Sequence, residues 1–311
     1  MNRNNELQCT NDIHMINCHD QILVHEHIFN KFPYWMQTSM ENFVLSELNK
    51  AYLKGITVIC DLTAYTKPYN YYEIIEKSPI KLVSCIGFYT PKYISAQQRN
   101  ASFLELTNSL SKQIEKGIGR KQIKPGILKI AAQGDNLSAL ETKLFKVIAL
   151  LSKEYNLPIA LHAPKGAYHH TKILLNEGVS PEKLFVAHIE NGISNAEIYD
   201  SKILEAKAII QEGSWIQLAD FGCSSTTKKA KINFQFAADL IYNGYLSKML
   251  LSGDTCWRCK NQQFLLKDYN HGGKSYSYTK EYIIPILQTI MNKENLEQIF
   301  LHDNPQNFFQ N

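Results

Sequence analysis

The runs LFVAH (Leu184–His188) and ITVICDL (Ile56–Leu62) are apolar almost throughout, and each ends on or beside a polar residue of ligand type. A strand wetted on one face alternates apolar and polar residues; a strand covered on both faces does not. Such runs therefore predict parallel strands buried inside an α/β fold. Working outward, the same form recurs at Ile22–His27, Lys81–Gly87, Gly126–Ile130, Pro158–His162, Ser214–Leu218 and Met249–Asp254, which makes eight strands. The intervening stretches carry helix signals. SALETKLFKVIALLSKEY (138–155) opens with Ser138 and Glu141 at capping-box spacing and aligns Leu140, Leu144, Val147, Ile148 and Leu151 on one stripe. SNAEIYDSKILEAKAIIQEG (194–213) repeats the device with Ser194 and Glu197, and Gly213 is its stop. Eight strand–helix units without a linker predict one (β/α)8 barrel domain over residues 1–311, with a short N-terminal extension, 1–20. A doubly wound open sheet is the alternative, but no glycine-rich phosphate loop follows the first strand.

Composition bounds the function. Hydrophobic residues at 44% and charged residues at 20% describe an ordinary soluble protein with a large core. The net charge of +4 comes from 33 basic and 29 acidic residues without a basic block, so no nucleic-acid or membrane-surface partner is expected. The N-terminus has no apolar leader, and no stretch approaches the roughly 18 apolar residues of a membrane span. Seven scattered cysteines fit reduced thiols, so a cytoplasmic protein is expected.

The histidines carry the chemistry. In ILVHEHIF (22–29), the two-residue period puts His25 and His27 on one side of the strand and turns Glu26 away. Other proposed strands end at His162, His188 and Asp254, and Lys129 lies near the end of the fourth. Each stands at the C-terminal end of a strand, the face where barrel enzymes keep their active sites. Any one of these histidines is more often structural, but four of the chain's ten meeting one aspartate on one rim point to metal. Imidazole and carboxylate suit zinc, with manganese, cobalt or iron as substitutes. The set exceeds the needs of one catalytic ion and suits two if Lys129 bridges them. An ammonium beside two dications is disfavoured, whereas the free amine can take up carbon dioxide and become an anionic carbamate ligand.

VHEH, GILKIAA, ALHAPKG, VAHIENG and LSGD together resemble the phosphotriesterase family of the amidohydrolase superfamily, and HGGKSYSYTKEYIIPIL and the closing HDNPQNFF are similar to its final segments. The resemblance covers roughly residues 20 to 310. It implies a dinuclear metal-dependent hydrolase, in which a metal-bridging hydroxide attacks a small ester or lactone, a phosphoester or an amide. By the same resemblance His25, His27 and Asp254 hold the more buried metal, His162 and His188 the more exposed one, and carboxylated Lys129 bridges them. Asp254 also moves the proton. Relatives are often homodimers, so a homodimer acting on a small molecule is expected. A mononuclear deaminase-like amidohydrolase and a catalytically silent metabolite-binding barrel are the alternatives.

Tyr89, after the third strand, matches a tyrosine that lies beside the metals in lactone-opening relatives, and Arg258 is a candidate for gripping a substrate carboxylate or phosphate. Asp61 is expected to orient a metal-binding histidine. His169, His170 and His271 read as rim-loop residues, and Cys256 and Cys259 as loop thiols rather than a redox pair. One departure stands out. Lactonase-like relatives carry Asp-Arg after the seventh strand, whereas QLADFG (217–222) has Ala219 and Asp220 at those places, which leaves the specificity open.

Overall fold

Eight parallel strands run in chain order around the centre of the molecule: Ile22–Glu26, Val58–Asp61, Lys81–Gly87, Pro125–Ala131, Ile159–His162, Leu184–Ala187, Trp215–Leu218 and Met249–Leu251. They are numbered one to eight below. The structure is a computed structural model that describes residues 6–10, 12–28, 37–64, 71–119, 122–221, 228–260, 263–266 and 275–310. The chain passes between strands through helices such as Gln37–Leu53, Ala139–Tyr155, Ala196–Gln211 and Lys228–Tyr242, as expected of parallel strands that need crossovers. Strand eight returns to strand one: His27 N–H donates to Thr255 O at 2.9 Å, Asp254 N–H donates to His25 O at 3.2 Å, and His27 forms a parallel bridge with Cys256. The architecture is a (β/α)8 barrel.

The strands bury two layers. Ile22, Val24, Val58, Cys60, Val83, Cys85, Ile127, Ala160, Phe185, Ala187, Trp215 and Leu250 fill the barrel interior. Their immediate neighbours, including Leu23, Ile59, Leu128, Leu161, Val186, Ile216 and Leu251, pack outward against the helices. The period of two thus sorts nearly every strand residue, and because both sides are apolar the runs look continuous in sequence. The N-terminal extension belongs to the barrel. Its hairpin, Glu6–Gln8 with Ile13–Met15, contributes buried Leu7, Cys9 and Ile16 to the inner cluster.

Boundaries depart from expectation where the backbone leaves the ladder. Strand one ends at Glu26 and strand eight at Leu251, short of His27 and Asp254, because the ligand-bearing residues turn out of the sheet. The helix at 139–155 has the expected capping box of Ser138 and Glu141. At the next expected cap the structure corrects the reading. Asn195, not Ser194, accepts from Ile198 N–H and starts the helix Ala196–Gln211, since an asparagine oxygen caps as well as a serine one.

Gly87, at the end of strand three, has φ +131°, and a Cβ there would meet Lys129 O at 2.1 Å. Only glycine lets strand three approach strand four at the level of Lys129. Gly87→Ala is expected to lower stability by about 2–4 kcal/mol in urea unfolding, through backbone strain plus overpacking.

Candidate metal centre

Strand register brings the polar residues to one level. Gly87 pairs with Lys129, Lys129 with Ala160, Ala131 with His162, His162 with Ala187, and Ala187 with Gln217. Lys129, His162 and Gln217 therefore point inward by simple alternation with Ile127, Ala160 and Trp215. His25 and His188 do not. Alternation from inward Val24 would send His25 outward, but the ladder between strands one and two shifts register between Leu23 and Glu26. The irregularity re-aims the histidine into the barrel, where its ring lies 6.4 Å from that of Phe185. His188 follows inward Ala187 and is turned back by a left-handed backbone, φ +69°. Asp254 is also left-handed, φ +48°, so two of the five such non-glycine residues described are candidate ligands.

The side chains converge. His27 Nε2 is 3.1 Å and His25 Nε2 3.7 Å from Asp254 Oδ1, and His188 Nε2 is 4.0 Å from Asp254 Oδ2. Lys129 Nζ lies 3.5 Å from His25 Nε2. The rings of His25 and His188 have centroids 5.2 Å apart, and those of His162 and His188 4.5 Å. Among the described residues, His25, His27 and Asp254 form a group whose ligand atoms all lie within 4.8 Å of one another, the spacing a single metal ion requires.

Two residues that sequence reading passed over orient the imidazoles. Gln217 donates its amide N–H to Leu218 O at 2.8 Å, so its Oε1 faces His25 and accepts from Nδ1–H at 2.7 Å. That bond fixes the tautomer and frees His25 Nε2 for a metal. His27 Nδ1 lies 2.9 Å from Thr63 Oγ1. Asp61 was expected to orient a histidine. Its Oδ1 accepts from the backbone N–H groups of Thr63 and Ile28, shaping the loop that carries Thr63 to His27. A sequence signal for Gln217 existed: it is an amide inside the otherwise apolar run WIQL.

The electrostatics suit metal binding. Burial, reinforced by Lys129, holds the pKa of His25 well below the ordinary imidazole value; burial and then His188 do the same for His162, and burial lowers His188. These rings are neutral ligands at physiological pH. For Asp254 burial alone would favour the neutral acid, but the hydrogen bond with His27 and the neighbouring histidines hold its carboxyl well below the usual range. Lys129 is 1% exposed, and burial brings its ammonium down to about 8.

Around the rim, Tyr89 stacks edge-on against His162 with centroids 5.1 Å apart, and burial followed by the Asp254 charge pushes its hydroxyl up, so it stays protonated. At the altered QLADFG stretch, buried Glu190 accepts from Ala219 N–H at 2.7 Å and Asp220 N–H at 2.8 Å, while Asp220 pairs with Lys229 at 3.1 Å. The cation at this strand end thus comes from the helix Lys228–Tyr242. His170 is a buried helix residue, 2.8 Å from Gly134 O through Nε2, and not a rim-loop residue. Arg258 sits in strand Trp257–Lys260, paired with Leu265, on the segment that follows Asp254. Its side chain, that of Cys259, and His271 lie outside the described residues. Cys256 forms no disulfide among the described residues.

The chain belongs to the phosphotriesterase family, whose sequence model matches residues 8–309. It is 26% identical over 309 residues to the aryldialkylphosphatase of Saccharolobus solfataricus, covering 92% of this chain and 94% of that protein. It is 24% identical over 276 residues to the phosphotriesterase homology protein of Escherichia coli, covering 86% and 88%. A crystal structure of the E. coli phosphotriesterase homology protein, with phosphate in its active site, matches the fold with a TM-score of 0.75 at 20% identity, over 94% of this chain and 100% of that one. Family membership and the candidate metal site together support a metal-dependent hydrolase of the amidohydrolase type. Among the described residues no helix is long and apolar enough to cross a membrane.

Two outcomes follow from the geometry. Gln217→Ala leaves His25 Nδ1–H buried without its acceptor and is expected to weaken zinc binding about 10- to 100-fold in a chelator competition. For Lys129, folding lowers the pKa from 10.5 to about 8, so the unfolded chain holds the extra proton between those values. Its contribution to stability is complete above pH 10.5 and is lost as pH falls through about 8. Metal-free wild type should therefore gain stability relative to Lys129→Met as pH rises through this window, by at most about 1.4 kcal/mol per pH unit in paired urea titrations.

Proposed function

We propose that the protein is a dinuclear metal-dependent hydrolase acting on a small carboxylic ester or lactone. The observation that carries the reading is the convergence of four imidazoles, one ionised carboxylate and one buried amine at the C-terminal mouth of the barrel. His25, His27 and Asp254 would hold one divalent cation, His162 and His188 the other, and Lys129 would bridge them. Zinc is the first choice for this donor set, with manganese, cobalt or iron as substitutes. When bound, such a pair supplies a water of lowered pKa and Lewis acidity toward a carbonyl or phosphoryl oxygen.

Lys129 fits the bridging role because of where it sits. An ammonium buried this deeply is disfavoured, and the free amine is accessible near neutral pH. Reaction with carbon dioxide turns it into an anion with two oxygen donors, which both histidine groups can reach across. Asp254 stays ionised among three imidazoles and is the group able to take a proton from attacking water and pass it to the leaving oxygen. Tyr89, protonated beside His162, is placed to donate a hydrogen bond to a substrate oxygen. Its position supports an ester or lactone, although phosphoesters and amides would meet the same groups. The Asp220–Lys229 pair, in place of an arginine at the end of strand seven, supports a specificity apart from that of lactonase-like relatives that carry Asp-Arg there.

The test is metal content and turnover. Wild type is expected to copurify with close to two metal ions, to carry the mass of one added carbon dioxide on Lys129, and to hydrolyse members of a lactone and carboxylic ester panel faster than phosphotriesters. His25→Ala and Lys129→Ala should each lose metal and at least about 10- to 100-fold of activity. Full metal occupancy and unchanged hydrolysis in both variants would sink the reading.

A further inference from the structure

We infer that Glu26, the residue between the two strand-one histidines, is a positioning residue whose buried carboxylate locks the Asp254 segment against His25 and His27. This rests on reading those three residues as metal ligands. Glu26 is wholly buried and faces the end of strand eight. Its Oε1 accepts from Ser252 Oγ at 2.8 Å and Gly253 N–H at 2.7 Å, and its Oε2 from Thr255 N–H at 2.7 Å. One carboxylate therefore holds the two residues before Asp254 and the one after it. Ser252 Oγ also accepts from His25 N–H at 3.0 Å, so the link runs back to the first ligand.

Three further observations point the same way. Asp254 has a left-handed backbone, which a non-glycine residue keeps only where its surroundings over-determine it. Residues 252–255 belong to no strand, and while the N–H groups of Ser252 and Asp254 reach Leu218 O and His25 O, those of Gly253 and Thr255 go to Glu26. The neighbourhood is also closely fitted: a Cβ on Gly253 would lie 3.2 Å from Glu26 Oε1 and 2.9 Å from Thr255 Oγ1. A group whose sole task was to fill space could be apolar. A carboxylate with two oxygens, each holding donors on one side of Asp254, sets the direction in which that aspartate points.

Glu26→Gln tests this. The glutamine keeps the size, but one face of its amide becomes a donor and opposes either Thr255 N–H or the Ser252–Gly253 donors. Zinc affinity by chelator competition, the visible spectrum of the cobalt-loaded protein, metal-free melting temperature, and kcat and KM on an ester substrate would be measured. The expected result is zinc binding weakened about 10- to 100-fold, an altered cobalt spectrum, and a fall in kcat with KM little changed. Ile148→Val, a core truncation in the helix Ala139–Tyr155, should lower the melting temperature while leaving zinc affinity and the cobalt spectrum alone. If Glu26→Gln does not fold, Ser252→Ala, which removes one donor to the carboxylate, decides in its place with a severalfold weakening. Wild-type zinc affinity and cobalt spectrum in the variant that folds would overturn the positioning role while leaving the metal reading intact. A wild type that binds no zinc or cobalt would overturn the metal reading and this inference with it.

Discussion

A β-strand can show only every second side chain to the barrel axis, and the candidate metal centre is assembled partly by that rule and partly against it. Lys129, His162 and Gln217 obey it and arrive inward in phase with the aliphatic residues below them. His25 and His188 would point outward by the same count. A register shift in strand one and a left-handed residue after strand six bring them back. Both of these irregularities fall at candidate ligands, above a lower barrel packed with Val, Ile, Phe and Trp. The apolar half of each strand thus supplies rigidity, and the strained half supplies direction.

Placing polar groups over an apolar barrel raises their desolvation cost, and the structure meets it residue by residue. The imidazoles of His25, His162 and His188 are kept neutral, Asp254 keeps its charge among them, and Lys129 is eased toward its free amine. Two other buried carboxylates, Glu26 and Glu190, share a device. Each leaves a strand beside a histidine and accepts backbone N–H groups from a later strand's exit, residues 253 and 255 in one case and 219 and 220 in the other. Burial pushes both acids up, to about 7 for Glu26, against the hydrogen bonds that favour their charged forms. At Glu26, where both oxygens are engaged, such a network rigidifies the site because any slippage would leave a buried group unpaired.

The barrel was legible in the sequence because doubly buried strands and capped helices each leave a local signature. The candidate ligands were legible because they recur at strand ends. What stayed hidden depended on contacts between distant strands. Gln217 reaches His25 across the barrel, Thr63 reaches His27 from the second strand's exit, and Glu26 reads in sequence only as the residue facing away. It is wholly buried and meets the exit of strand eight. The cap at Asn195 was missed because Ser194 and Asn195 are adjacent and equally able oxygen acceptors. His170 looked like a loop residue until the helix Ala167–Asn176 buried it.

The seam between strands one and eight also sets when the site comes into being. Glu26 and Thr255 are 229 residues apart in sequence, so the triad of His25, His27 and Asp254 spans nearly the whole chain. Contacts of such long range form only after most of the loop-closure entropy has been overcome. In a chain emerging from its N-terminus, the segments that carry Lys129, His162 and His188 precede Asp254. The complete triad is therefore a chemical record that the barrel has closed: its three donors come within reach of one another only as the end of the chain rejoins its beginning.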